Sequence, residues 1–206
     1  YNTALIPPAS AFDDATTLPQ GDGWAAVKVT AKAAATWAGR LADGSAFTHA
    51  GSLGPGGQTS LHALFHQKTG SLHGRARLTP ESISGIESDW FIAPPAKPRA
   101  TGSYRQGIPL HSLSLHGGPW QPPAPGHTQL ILLGGGLSEE AGIPIEITPA
   151  LKTRVSAHPL ALQITGFKPA TGQWSGHFTL DGRKAPLHGL LLPGGAGHGH
   201  FLLPQA

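Results

Sequence analysis

From Gly23 the chain alternates with a period of two. Trp24, Ala26, Lys28 and Thr30 fall on one side, and Ala25, Val27, Val29 and Ala31 on the other. Alternation of this kind marks a β-strand with one buried face. A second run, Thr36 to Ala42, is followed by Asp43-Gly44 and a return run from Ser45 to Leu53. An Asp-Gly pair between two such runs predicts a tight hairpin, because a primed turn needs positive φ at both central residues. Gly54-Pro55-Gly56-Gly57 closes that run, and further strands are predicted at Thr59–His66, Gly70–Leu78 and Ile83–Ile92.

Composition supports short strands throughout. The chain of 206 residues carries 29 Gly and 20 Pro, and only 12% of it is charged, against about 25% in an ordinary domain. Frequent turn formers with little Lys or Glu argue against long helices. Only 138–142 and 149–157 offer room for a helical turn. Strands are predicted again at Thr128–Leu133, Ile143–Ile147, Leu160–Phe167, Gly172–Leu180, Ala185–Leu192 and His198–Leu203. The reading is an all-β antiparallel barrel or barrel-like sandwich of about 10–13 short strands.

Residues 1–20 read as an N-terminal arm or strand and 21–206 as a single β domain. Its halves, 21–92 and 128–206, are joined by a Pro-rich connection over 93–127, which one strand at Ile108–His116 interrupts. The halves share a signature. Trp37, Asp43-Gly44, Gly51, Pro55-Gly56-Gly57 and His62 recur as Trp174, Asp181-Gly182, Gly189, Pro193-Gly194-Gly195 and His200. The expectation is two related meanders that face each other or close edge to edge, since one meander cannot cover its own apolar face.

Several function classes are excluded or weakened. The absence of Cys rules out disulfides and thiolate metal sites or nucleophiles. A net charge of +3 without a Lys/Arg block lacks the basic stripe that nucleic-acid binding requires. No apolar run approaches the roughly 18–20 residues of a membrane-spanning helix. With no Met even at position 1, the chain reads as a processed product or a piece of something longer.

The stretches Leu18-Pro19-Gln20-Gly21-Asp22-Gly23-Trp24 and Gly39-Arg40-Leu41-Ala42-Asp43-Gly44-Ser45-Ala46-Phe47 resemble a module of large exported proteins of Verrucomicrobia and related bacteria. Gly70-Ser71-Leu72-His73-Gly74, Trp90, Trp174-Ser175-Gly176-His177-Phe178 and the Phe201-Leu202-Leu203-Pro204-Gln205 ending extend the resemblance over most of the chain. The departures are Trp24 and Trp174 where the family carries Phe, and an unusual number of histidines. The resemblance implies an extracellular or cell-surface setting and brings no catalytic residues or cofactor with it.

Candidate chemistry is sparse. His198 and His200 alternate on one strand face, and His62 and His66 likewise project together, so these four are the metal candidates. Exposed or core-edge histidines are the commoner explanation. Glu87 and Asp89 beside Trp90, together with Trp120 in its Pro-rich setting, are the sugar-binding candidates. A solvated strand face is the more ordinary explanation for the acids. Ala4, Leu5 and Ile6 form an apolar start that could complete a neighbour's sheet. No catalytic residue and no cofactor is assigned. The expected role is a noncatalytic structural or interaction module, subunit of a surface assembly, whose partners are identical or related chains or the rest of a parent chain. A carbohydrate-binding module and a hydrolase with acids from separate loops are the alternatives.

Overall fold

The computed structural model describes residues 1–13, 17–95, 104, 106–135 and 137–203, without the side chains of 12, 13 and 86. Residues 96–103 and 105 of the Pro-rich connection, and Pro204 and Gln205 at the end, lie outside these residues. The chain is all-β: among the described residues fifteen strands and three short 3-10 turns account for the regular structure. Among the described residues no helix is long and apolar enough to cross a membrane.

The first eight strands form one antiparallel sheet: β1 (Asn2–Ile6), β2 (Gly23–Val29), β3 (Ala34–Arg40), β4 (Ala46–Ser52), β5 (Gln58–Phe65), β6 (Gly70–Leu78), β7 (Ile83–Ile92) and β8 (Ile108–Gly118). Their order is β4-β3-β2-β1-β8-β7-β6-β5. The two outermost strands, β4 and β5, lie against each other, and the Gly54 N–H reaches the Gln58 carbonyl at 2.7 Å beside them. The sheet thus curls into a partly ring-like, barrel-like body. All eight strands feed one core, with Leu5, Val27, Trp37, Phe47, Leu61, Leu72, Trp90 and Leu115 among its members. A filled interior is what a ring of about eight strands permits.

The N-terminal segment is an interior strand of this body. β1 pairs with β2 on one side and β8 on the other, and the Pro-flanked strand at 108–118 stands between β1 and β7. Gly117 is required there: a Cβ on it would lie 1.9 Å from the Asn2 carbonyl oxygen.

The remaining strands form two smaller sheets. β9 (Gly126–Leu132), β10 (Ala141–Ile147) and β11 (Thr153–Val155) make one, with β10 central. β12 (Gln163–Lys168), β13 (Gln173–Leu180), β14 (Arg183–Leu191) and β15 (Gly197–Phe201) make the other as a meander. Leu132, Ile143 and Ile145 of the first face Phe178, Ala185 and Leu187 of the second across a shared core. β11 and β12 touch. A third, small cluster of Ala4, Trp24, Leu190 and Leu192, with Ile6 against it, joins this unit to the first. Asn2 reinforces the junction by donating from Nδ2 to the carbonyls of Thr171 (2.9 Å) and Leu191 (2.7 Å).

The two Asp-Gly turns are built differently. Asp181 and Gly182 both have positive φ, 49° and 74°, and link Leu180 to its partner Arg183, which is the tight primed hairpin. At Asp43-Gly44 the expected hairpin forms, but the two-residue primed turn is corrected to a longer loop: Arg40 pairs with Ala46, the Leu41 N–H donates to the Ser45 carbonyl at 2.8 Å, and of Asp43 and Gly44 only Gly44 has positive φ, 88°. The cause of the loop is the Asp43 carboxylate, which accepts the Ser45 N–H at 2.9 Å and the Ser45 hydroxyl at 2.6 Å. A side chain that caps its own loop in this way competes with the two-residue turn. The strands flanking the Pro-Gly-Gly turns differ too: β14 and β15 form a ladder, whereas β4 and β5 meet without one.

Candidate functional site

Between the two sheets of the second unit, bordered by residues 20–22 of the first, lies an open cleft of about 1580 Å³. The edge strand β9 forms one wall, and β15 with Gln20, Gly21 and Asp22 forms the other. Ile145, Ile147, Ile164, Trp174 and Leu187 line its depth. Among the described residues the lining contains no lysine or arginine, and its one acid is Asp22.

Asp22 organises the β15 wall. Its N–H donates to the Gly199 carbonyl at 3.0 Å, its carboxylate meets His198 Nδ1 at 2.7 Å, and its carbonyl accepts from His200 Nδ1 at 3.0 Å. Gly21 permits the approach, since a Cβ there would sit 2.6 Å from the Cβ of His200. The carbonyl can only accept, so Nδ1 of His200 carries the proton. Its Nε2 is buried without a partner. Burial pushes this imidazole down to about 4, the Asp22 carbonyl opposing and the nearby His188 adding to the shift. His188 is lowered too, by burial and then by Arg40.

A smaller pocket of about 380 Å³ lies between the 41–45 loop and β14, lined by Arg40, Asp43, Ser45, His66, Pro186 and His188. His66 Nε2 stands 2.7 Å from Ser45 Oγ and 3.3 Å from Asp43 Oδ2. The residue is held there by an unusual backbone: His66, Gln67 and Lys68 all have positive φ, at 49°, 56° and 72°. That conformation costs roughly 1–2 kcal/mol per residue. The three groups are not a nucleophilic triad. A triad carboxylate orients the histidine from Nδ1 and leaves Nε2 free to take the serine proton. Here the carboxylate sits at Nε2, and the serine hydroxyl and the imidazole both point at it. Near the same carboxylate, burial and Asp43 push the Tyr104 hydroxyl up to about 12.

The four metal candidates do not converge. His62 is exposed on β5 opposite His73, His66 belongs to the Asp43 loop, and His198 and His200 both lean on Asp22. Among the described residues no three metal-ligating side chains come together. Of the sugar candidates, Trp90 is 1% exposed inside the first core and presents no ring face. Glu87 pairs with Arg75 at 2.8 Å, and Asp89 accepts from Ser112 at 2.6 Å. Trp120 packs over Gly172 and donates to the Pro169 carbonyl at 3.0 Å. Ala4 and Leu5 are buried, and both edges of their strand are occupied within the chain.

No family model, curated protein or solved structure matches the chain. The site is therefore read from its geometry alone. What the sequence reading missed is the β9 wall and Asp22. The one sequence signal for Asp22 is its place between Gly21 and Gly23, where small neighbours let another strand approach. β9 is exposed along Gly126–Gln129 and again at Ile131. Among the described residues it is bonded on one side only, to β10.

Proposed function

We propose that the chain is a noncatalytic interaction module of an exported bacterial protein, whose partners are identical or related protein chains. The observation that carries this reading is the state of β9. Natural sheets protect an edge with charge, proline, a bulge or a cover. Among the described residues β9, Gly-His-Thr-Gln-Leu-Ile-Leu, carries none of these. Ile131 beside its end is 48% exposed and Leu133 is 52% exposed. Elsewhere the outer strands are accounted for: β4 meets β5, β11 meets β12, and Asp22 bonds β15. An unguarded edge of this kind is a template for strand addition. The exported, cell-surface setting is supported by the resemblance of the Leu18–Trp24 and Gly39–Phe47 stretches to the Verrucomicrobial module.

The reading is tested by light scattering on the purified chain over a wide range of concentration. A mass that rises with concentration is expected. A mass that stays at that of one chain throughout overturns association between identical copies.

A further inference from the structure

We propose that two copies of the chain join through β9, in an antiparallel pairing about a two-fold axis centred on Gln129. This rests on the interaction reading above and specifies its partner and register.

The direction of the β9 backbone follows from hydrogen bonds on the far side of β10. Ser156 donates its N–H to the Pro144 carbonyl at 3.1 Å, and Thr148 donates to Lys152 at 2.9 Å. The even-numbered residues of β10 therefore turn their polar groups toward β11. Their Cα partners on β9 are Gln129 opposite Pro144, His127 opposite Glu146 and Ile131 opposite Gly142. In an antiparallel ladder, facing residues that do not bond each other point their N–H and C=O outward. His127, Gln129 and Ile131 thus present three unshared donor–acceptor pairs on one edge. Among the described residues none of them has another backbone partner.

A two-fold axis through Gln129 sets Gln129 against Gln129 and His127 against Ile131 of the other copy, each facing pair exchanging two backbone bonds. The register is self-complementary, as an isologous contact must be. It brings the exposed Ile131 over a partner's imidazole and lets the two Gln129 amides bond each other. Charge decides for a second copy. A strand bearing Lys or Glu meets its own charge across such an axis, and β9 has no Asp, Glu, Lys or Arg. A foreign strand would place no such demand on it. The exposure of Gly126–Gln129 leaves the edge open to the approach.

The test uses charge at the centre of symmetry. Gln129→Lys and Gln129→Glu each place two like charges face to face. Each variant alone should dissociate at least about fivefold more readily than the wild type in sedimentation velocity. An equal mixture should regain wild-type association by forming the mixed pair. Gln129 is exposed, and unchanged melting temperatures show that the variants fold. Wild-type association that both variants retain overturns the β9 pairing and leaves self-association through another face. Variants that lose association without recovery in the mixture overturn the register. A wild type that stays monomeric overturns the pairing and the self-association reading together.

Discussion

His200 should make the stability of this protein fall steeply on the acid side of neutrality. The imidazole is 5% exposed and donates from Nδ1 to the Asp22 carbonyl, so a second proton must enter at Nε2, which has no partner. Facing it are His188, Arg40 and Asp43, two of which carry or gain positive charge as pH falls. Its folded value of about 4 lies below the 6.5 of a free imidazole. The unfolded chain therefore binds the proton first, and stability is lost as pH falls from 6.5 through 4. Linkage between those values gives a loss of about 2 kcal/mol by pH 5 and about 3 kcal/mol by pH 4. Such a loss is a large share of a typical ~5–15 kcal/mol. The control is His200→Asn, whose amide keeps a donor near the Nδ1 position and does not titrate. Urea unfolding of both proteins at several pH values gives the difference curve, and other titrating groups, His188 among them, largely cancel in it. The wild type should lose stability relative to the variant across that window. Parallel curves between pH 7 and pH 4 would refute the assignment of a buried, unpartnered Nε2.

Other consequences follow from single contacts. Asn2→Ala strips donors from the Thr171 and Leu191 carbonyls at the junction of the units, and should lower stability by about 2–3 kcal/mol in urea unfolding. Gly117→Ala drives a methyl into the Asn2 carbonyl and should destabilise by several kcal/mol. Gly194→Ala, in open space but at φ 84°, should cost only about 1 kcal/mol. Asp43→Ala removes both Ser45 bonds and the His66 contact, and should cost about 1–3 kcal/mol with loss of protease resistance around the 41–45 loop. Because the histidines are dispersed, micromolar zinc and EDTA should each leave the melting temperature unchanged.

Local pattern made the strands legible and left their neighbours hidden. The alternation in 23–29 and the Gly-Pro punctuation after 53 placed most strands within a few residues, because burial on one face writes itself into period two. β11 escaped notice: its three residues are too few to alternate. β1 was legible as a strand, but its place between β2 and β8 was not, since pairing over more than a hundred residues leaves no local trace. The Asp-Gly signal marked a hairpin at both places, with the tight primed turn at 181–182 and a longer loop at 43–44. The difference lies in Ser45, whose N–H and hydroxyl give the Asp43 carboxylate a local use. The histidine pair on β15 was correctly placed on one strand, yet its partner Asp22 comes from 176 residues away.

The openness of the cleft and the freedom of β9 have one structural origin. Eight strands curl until their outer members meet. The second unit divides seven strands between two sheets that touch along β11 and β12 and stay apart along β9 and β15. Asp22 attends to β15 from the first unit, and nothing among the described residues attends to β9. Hydrogen exchange followed by NMR reads this directly. Inward amides, those of Thr128 and Leu130, should exchange slowly at every concentration because β10 holds them. Outward amides, those of His127, Gln129 and Ile131, should exchange fast in dilute protein and slow down together as concentration rises. Protection that alternates along β9 and becomes uniform only on association belongs to strand pairing alone. Alternation that persists unchanged at high concentration would mean that the free edge stays free.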